Sequence, residues 1–258
     1  MPTNTPASVK LSVAIIALNE GKKIKDCLQS VKFADEIILV DSGSADKTQD
    51  IAKSLGAKCS SRSFDGYSEQ KNFAIGQCTG DWILSLDSDE RISEALAKEI
   101  QVIIQTSGAA DGYWIKRENY IFGKHLRFGS SKGGDEQLRL IRRGKGKFEG
   151  KIHERIQVSG STGKLNNTMI HLSTETLSEY FKKLERYTTL EAESLFTSGY
   201  QPTWCDYSLK PFGQFIYAYF FKLGFLDGWA GLQFQALSSF YTFIKYAKLK
   251  EKLLSKSQ

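Results

Sequence analysis

Strand-like and helix-like segments alternate regularly over the first 104 residues, and this alternation restricts the fold more than any other feature. Apolar runs typical of strands occupy residues 10–17, 36–40, 57–61 and 81–86. Helix-like segments lie at residues 22–31, 45–56, 67–78 and 93–104, with Gly56 as a stop signal and Ser93 as an N-cap. Strands that alternate with helices at this spacing predict an α/β fold with a mostly parallel sheet.

The pattern changes after residue 105. Short strand-like runs with glycines between them occupy residues 111–170, which predicts a mixed or antiparallel extension of the sheet. An amphipathic helical segment follows at residues 175–200, and an aromatic-rich tail comes after it. We therefore predict one α/β domain over residues 1–172, with halves at 1–105 and 106–172, and a helical extension over residues 173–258.

Composition narrows the class of protein. The 258 residues carry a formal net charge of +6, which permits an anionic partner such as nucleic acid, acidic lipid or a phosphorylated substrate. The four cysteines lie far apart, so a reducing cytoplasm is favoured over a disulfide framework or a zinc knuckle. No apolar signal core and no run of about 18 apolar residues is present. We expect a protein that is soluble or lies on a membrane surface.

Acidic and polar residues follow three of the predicted parallel strands. Asn19 and Glu20 follow the first strand, Asp41 the second, and Asp87 and Asp89 the fourth. Ligands of such sheets bind beyond the carboxyl ends of the strands. The last pair could hold a divalent cation or could serve the N-terminus of the next helix. The acid after the second strand could bind a ribose or a base, or could close an Asx-turn.

Four motifs in this order resemble the family-2 glycosyltransferases with the GT-A fold. They are "ALNE" at residues 17–20, "VDSGSAD" at 40–46, "QKNFA" at 70–74 and "GDWILSLDSDE" at 80–90. The segment "DEQLRLIRRGKGKFEGKIHERI" and the aromatic tail are similar to the subgroup that builds lipopolysaccharide core, with Ile141 where Phe is usual. The resemblance covers nearly the whole chain, and it implies a nucleotide-binding, mostly parallel sheet flanked by helices.

The resemblance also implies roles for particular residues. Asp135 would be the catalytic base, with Glu136 as the competing choice, since an extended chain turns the two to opposite faces. The divalent cation, Mn²⁺ or Mg²⁺, would lie on Asp89, Asp87 and His153. Glu90 is left to serve the following helix. The nucleotide sugar would contact Ala17, Asn19, Glu20, Asp41, Ser44, Lys71, Asp87, Ser88 and Arg139.

Two of these residues have plain structural alternatives. Lys71 could equally be a solvated helix lysine, and Arg139, with the neighbouring Arg142 and Arg143, could belong to a solvated strand face. His153 is the histidine favoured for the metal or diphosphate, ahead of His171.

The resemblance implies an inverting hexosyltransferase. It would move a hexose, with glucose as the expected sugar, from a UDP-linked donor to lipopolysaccharide core or another glycolipid or polysaccharide. Residues 1–105 would bind the nucleotide sugar and residues 106–172 would face the acceptor. No nucleic-acid partner is expected. A nucleotidyltransferase is one alternative, although it usually needs a Gly-rich phosphate loop after the first strand. A non-catalytic sugar-nucleotide-binding protein at the membrane surface is another.

The C-terminal tail has two interpretations. It is dense in Phe, Tyr and Trp and also carries lysines, which is typical of an amphipathic helix on an anionic lipid surface. A helical hairpin packed on the domain or on a dimer partner is the alternative. A lipid-linked acceptor favours the first, so the expected location is the cytoplasm, peripheral on the inner face of the cytoplasmic membrane.

Overall fold

The computed structural model describes residues 9–131, 135–150 and 154–255. The chain divides into two compact units, of which the first comprises Met1–Arg117 with Asp135–His171 and the second Glu118–Gly134 with Leu172–Gln258. The division at His171 lies one residue from the predicted boundary. Residues 118–134, which were predicted to belong to the first domain, group with the C-terminal residues instead.

The first unit begins with the predicted alternation, which is confirmed. Four parallel strands pair in the order β3-β2-β1-β4, with polar turns or helices between them. The strands are β1 (Leu11–Ala17), β2 (Glu36–Asp41), β3 (Lys58–Ser61) and β4 (Trp82–Asp87). The helices are α1 (Ile24–Ser30), α2 (Thr48–Ser54), α3 (Tyr67–Gly76) and α4 (Glu94–Gln105).

An antiparallel extension completes the sheet, as predicted. The order continues from β4 through β8, β6 and β11 to β5, with β7 on β6, while β9 and β10 form a separate pair. The three-residue β5 carries no sequence signal of its own and was not predicted. The later strands are β5 (Glu90–Ile92), β6 (Gly112–Ile121), β7 (Lys124–His125), β8 (Asp135–Arg142), β9 (Gly146–Glu149), β10 (Arg155–Val158) and β11 (Thr162–Thr174).

Both faces of the parallel strands are buried. Val13, Ile15 and Leu39 lie in a core that α1 and α4 cover, whereas Ala14 and Val40 lie in a second core with α3. Strands covered on both faces need apolar side chains at successive positions. This explains why the strand sequences are nearly continuous apolar runs and do not alternate.

Gly80, at the start of the motif "GDWILSLDSDE", is required by close packing. A Cβ on this residue would lie 2.8 Å from both the backbone nitrogen and Oγ of Ser12 in the adjacent strand. We expect Gly80→Ala to lower the free energy of unfolding by about 1–3 kcal/mol, measured by denaturant titration. Gly76→Ala is the matched control, because nothing lies within 4 Å of its Cβ position. An equal loss in both variants would contradict this explanation.

The second unit is helical after β11. Its helices are α5 (Leu177–Thr197), α6 (Trp204–Tyr207), α7 (Leu209–Ile216) and α8 (Gly228–Ser255). A π-helical turn, Tyr217–Phe221, and a 3₁₀ turn, Gly224–Asp227, connect the last two. In the part of the chain that the structure describes, none of the helices combines the length and apolar character that crossing a membrane requires.

The C-terminal half of α8 packs on α5. Ala192 of α5 forms a buried cluster with Tyr246 and Leu249 of α8. Three ion pairs reinforce the contact, joining Lys245 to Glu191 at 3.0 Å, Lys248 to Glu185 at 2.9 Å and Lys252 to Glu193 at 3.2 Å. This stretch therefore adopts the packed helical arrangement that was the alternative to a membrane surface.

Candidate functional site

The carboxyl ends of β2, β1 and β4 lie side by side, which confirms the prediction from the strand-end residues. Ala17 is in register with Asp41 of β2. Ile16 stands between Val40 on one side and Asp87 on the other. The polar turns after these three strands therefore meet at one edge of the sheet, where ligands of parallel sheets bind.

The turns after β1 and β2 are locked together. Asn19 has a positive φ of 55°, which Asn tolerates better than most residues. Its backbone N–H donates to Ser44 Oγ at 2.7 Å, and its side-chain oxygen accepts from the Ala45 N–H at 2.9 Å. The Glu20 N–H donates to Thr48 Oγ1 at 2.8 Å. Asn19, Glu20 and Ser44, all predicted to contact the nucleotide sugar, are thus brought together.

Asp41 is fully buried and shapes the turn that follows it. Its carboxylate accepts from the Ser44 hydroxyl at 2.5 Å and from the Ser44 N–H at 2.8 Å. The Gly43 N–H and Gln49 Nε2 also donate to it, each at 2.9 Å. Burial acts to raise the pKa of Asp41, but these four hydrogen bonds bring the net pKa below its ordinary value. Asp41 therefore forms the Asx-turn that was the alternative interpretation of this residue. Its contact with the nucleotide stays a prediction.

Asp87 lies between two buried cationic side chains. Lys71 Nζ is 2.8 Å from its Oδ1, and Arg139 Nη2 donates to its Oδ2 at 2.6 Å. Lys71 also binds Glu154 Oε1 at 2.9 Å. Desolvation acts to raise the pKa of Asp87, but Arg139 and Lys71 outweigh it and hold that pKa far below its usual range. Lys71 and Arg139 are only 5% and 4% exposed, so the solvated alternative is wrong for both.

Glu90 is fully buried and closes the turn after β4. Its Oε2 accepts the Asp87 N–H at 2.9 Å, and its Oε1 accepts from Arg139 at 2.8 Å and from Arg117 at 3.2 Å. The prediction that Glu90 serves the following helix is wrong. Ser93 caps α4 instead, as predicted, by accepting the Leu96 N–H at 3.2 Å.

Asp135 begins β8 and is held by two donors. Arg117 pairs with its Oδ2, and Gln137 Nε2 donates to its Oδ1 at 2.6 Å. Burial acts to raise the pKa of Asp135, but Arg117 in particular brings the net pKa below its ordinary value. Glu136 makes a different contact, an exposed ion pair with Lys164 at 2.6 Å. The two carboxylates thus have separate surroundings, as the extended chain predicted.

These contacts form one continuous chain of alternating charge, which we call the ion-pair chain. It runs from Asp87 through Arg139, Glu90 and Arg117 to Asp135. Sequence reasoning missed Glu90 and Arg117 as members. The signal that could have indicated buried pairing is an arginine inside an apolar strand, as in Leu138-Arg139-Leu140.

Asp89 faces His171, the histidine that was ranked second for the metal or diphosphate. Asp89 Oδ2 lies 3.6 Å from His171 Nε2, because antiparallel pairing of β5 with β11 sets His171 opposite Glu90. His153 lies outside the described residues. Within residues 9–131, 135–150 and 154–255, no group of three or more His, Cys, Asp or Glu is arranged to hold a metal ion. Ser88 is buried, and its carbonyl accepts from Arg91 at 2.9 Å.

The chain resembles known glycosyltransferases. Residues 12–162 match the family model described as Glycosyl transferase family 2. The chain is 30% identical over 250 residues to the lipopolysaccharide core biosynthesis glycosyltransferase LpsC of Rhizobium meliloti (strain 1021), covering 93% of this chain and 91% of LpsC. It is 31% identical over 263 residues to an uncharacterized glycosyltransferase of Rickettsia bellii (strain RML369-C), covering 94% and 86%.

Two solved structures align with parts or most of the chain. S. aureus TarS 1-349 aligns with a TM-score of 0.49 and 16% identity, over 94% of this chain and 92% of that one. Glucosyl-3-phosphoglycerate synthase from Mycobacterium tuberculosis, in complex with Mn²⁺, UDP and glucosyl-3-phosphoglycerate, aligns with a TM-score of 0.37 and 25% identity, over 44% and 45%.

Proposed function

The chain belongs to glycosyltransferase family 2, and from this premise we propose that it has the GT-A fold and transfers a hexose with inversion from a UDP-linked donor. The acceptor would be lipopolysaccharide core or a related glycolipid, since LpsC acts in lipopolysaccharide core biosynthesis. Glucose is the proposed sugar. The enzyme would work at the inner face of the cytoplasmic membrane, where such an acceptor is built.

The observation that carries the proposal is the cluster of carboxylates at the strand ends. Among the described residues, five carboxylates lie in ion-pair contact there with three lysine and arginine side chains and with His171. A diphosphate would be repelled by these carboxylates unless a divalent cation compensates for their charge. The groups counted are Asp87, Asp89, Glu90, Asp135 and Glu154 against Lys71, Arg117 and Arg139.

Asp89 and His171 are the residues that fit such a cation. They present an oxygen donor and a nitrogen donor to one another, a set that Mn²⁺ accepts, and hard cations commonly take only one or two protein carboxylates. Asp87 fits less well as a direct ligand, since Lys71 and Arg139 already compensate its charge. When bound, the cation would supply charge stabilisation to the departing diphosphate.

Asp135 is the proposed base. The acceptor hydroxyl attacks C1 of the sugar, the bond from C1 to the diphosphate oxygen breaks, and the hydroxyl proton passes to the Asp135 carboxylate. Arg117 and Gln137 orient this carboxylate and keep it ionised, and each of its oxygens retains a lone pair for the acceptor.

A nucleotidyltransferase is disfavoured by the turn after β1. The backbone N–H groups of Asn19, Glu20 and Gly21 donate to the side chains of Ser44, Thr48 and Asp46. They are therefore engaged within the protein, whereas a phosphate loop needs such amides to face the phosphates.

A donor screen tests the proposed function. The full chain is incubated with UDP-, GDP-, ADP- and dTDP-linked hexoses, with and without Mn²⁺ or Mg²⁺, and with lipopolysaccharide-core and glycolipid acceptors. We expect acceptor-dependent release of UDP with inverted anomeric configuration in the product. Binding of a UDP-sugar without turnover across the acceptor panel would support the non-catalytic alternative.

Asp89→Ala is expected to abolish the metal dependence of donor binding. Loss of the carboxylate removes the proposed oxygen ligand, so adding Mn²⁺ should raise UDP affinity less than about twofold, against tenfold or more in the wild type. Isothermal titration of UDP with Mn²⁺ or with EDTA measures this. Asp50→Ala, which removes an exposed acid on α2, is the control and should behave as wild type. An unchanged Mn²⁺ effect in Asp89→Ala would exclude this ligand.

A further inference from the structure

Large aromatic side chains are exposed between α7 and the start of α8. Phe221 is 74% exposed and Trp229 73%, although residues of this size usually bury most of their surface. The set, which we call the aromatic edge, consists of Phe212, Tyr217, Phe220, Phe221, Phe225 and Trp229. Exposed apolar patches of this kind mark interaction surfaces.

Two of these rings are in contact with each other, and the neighbouring Tyr219 contacts two more. The ring centroids of Tyr217 and Phe221 lie 6.3 Å apart. Tyr219 lies 5.1 Å from Phe220 and 6.2 Å from Phe225. Four members of the aromatic edge lie on the π-helical turn and the 3₁₀ turn, Phe212 lies on α7 and Trp229 on α8, so the set does not follow a single helical stripe.

The backbone beneath the aromatic edge is tightly built. Leu223 has a positive φ of 61°, and a Cβ on Gly224 would lie 2.8 Å from the Ala218 carbonyl oxygen. The Gly129 N–H donates to the Lys222 carbonyl at 3.0 Å, which ties the edge to the segment after β7. The exposed rings are therefore held in place by packing beneath them.

Charge around the aromatic edge is positive. Asp227 is the one acidic residue between Ser208 and Lys250 in the sequence. Its carboxylate accepts the backbone N–H groups of Arg127 at 3.1 Å and Phe128 at 2.9 Å. Lys222 lies beside the patch, with Nζ 5.5 Å from the Tyr217 ring centre, and the exposed Arg127 is held near the 3₁₀ turn through its backbone contact with Asp227. An anionic surface would therefore face the positive charges of Lys222 and Arg127. The negative charge of Asp227 is already hydrogen-bonded to two backbone N–H groups.

We propose that the aromatic edge inserts into the interface of an anionic phospholipid bilayer, with Lys222 and Arg127 at the lipid phosphates. Trp, Tyr and Phe favour the headgroup boundary, and basic residues beside them add attraction to anionic lipid. The inference rests on the membrane contact in the proposed function and identifies the residues that make it. It assigns the contact to this edge and leaves the C-terminal half of α8 packed on α5.

Vesicle co-sedimentation of the full chain without donor tests the edge. Vesicles of phosphatidylglycerol and phosphatidylethanolamine should bind the wild type, and vesicles of phosphatidylcholine should bind it at least tenfold more weakly. The double variant Phe221→Ser, Trp229→Ser should lose about tenfold or more in affinity for the anionic vesicles. Val102→Ser, which changes a side chain 67% exposed on α4, is the matched control and should bind as wild type.

The charge is tested separately. Lys222→Glu should weaken binding to the anionic vesicles about tenfold, whereas Lys53→Glu on α2 makes the same change of net charge in the other compact unit and should have little effect. All these side chains are at least partly exposed, so the fold should survive; circular dichroism checks it.

Tryptophan fluorescence locates the contact directly. Trp82 is buried and Trp114 is partly buried, so Trp204→Phe leaves Trp229 as the one strongly exposed tryptophan. Anionic vesicles should then shift its emission to shorter wavelength and shield it from acrylamide. Unshifted emission from vesicle-bound protein would overturn the proposal.

The remaining outcomes separate the inference from its premise. If the wild type does not bind anionic vesicles, both the proposed membrane contact and the proposed role of the aromatic edge are excluded. If the double variant binds anionic vesicles as well as the wild type does, the membrane contact stands but the aromatic edge does not make it. If the wild type is a dimer that does not bind vesicles and the double variant is a monomer, the aromatic edge is an interface between two copies of the chain and the proposal is overturned. Hydrolysis of the UDP-sugar in the absence of acceptor and vesicles measures the catalytic activity independently of these three outcomes.

Discussion

Replacing Asp135 with Asn is expected to lower the rate of sugar transfer about 10²–10⁴-fold while donor affinity stays within about twofold of the wild type. Asn cannot accept the acceptor's proton, yet it has nearly the same shape and its side-chain oxygen can still accept a hydrogen bond from Arg117. Single-turnover transfer to the acceptor found in the screen gives the rate, and titration with UDP and Mn²⁺ gives the affinity.

Glu136→Gln is the matched control for the base. This neighbour lies on the same strand and forms an exposed ion pair with Lys164, so its neutralisation should leave transfer within about twofold. Full activity in Asp135→Asn would remove the base assignment. A large loss in Glu136→Gln alone would transfer the role to that residue.

Replacing Arg139 with Met is expected to lower the free energy of unfolding by about 3–5 kcal/mol, because it breaks a buried ion pair and leaves charges uncompensated. Glu90 is fully buried and would keep Arg117 as its remaining cationic partner, and Asp87 would keep only Lys71. For a chain of this size the loss corresponds to a fall in Tm of roughly 6–20 °C. Denaturant unfolding followed by tryptophan fluorescence measures the change, with the wild type and variant compared at one pH.

Arg143→Met provides the control for Arg139→Met. Arg143 is exposed and lies four residues further along the chain, so the same substitution there should change stability by no more than about 0.5 kcal/mol. Equal effects at the two positions would show that the ion-pair chain contributes no more than an ordinary surface arginine. Arg139→Lys should fall between them, since lysine keeps the positive charge but not the length and geometry of the guanidinium.

The parts of the fold that could be predicted are those with a local signal. Apolar runs bounded by polar turns identified β1, β2 and β4, because strands buried on both faces need consecutive apolar residues. By contrast, β5 has three residues and no periodicity, and its pairing with β11 depends on residues about 80 positions away. The grouping of residues 118–134 with the C-terminal unit is likewise set by contacts between distant segments.

The candidate site divides in the same way. The carboxylates after the parallel strands were predictable because strand ends of a parallel sheet share an edge. Their partners were not, since Arg139 lies 52 residues from Asp87 and Lys71 lies 83 from Glu154. Charged side chains at such separations give no periodic pattern, and burial alone decides whether they are solvated or paired.

The sequence by itself determined the family, the parallel α/β core and the edge of the sheet at which chemistry would occur. These follow from short-range order: apolar runs, turn residues and the motifs that end each strand. Only the tertiary structure decided that Lys71 and Arg139 are buried against Asp87, that Glu90 closes the turn, that Asp89 faces His171, and that exposed rings gather between α7 and α8. The physical reason is that burial and charge pairing depend on which distant segments meet in space, and that information is not local to any stretch of the chain.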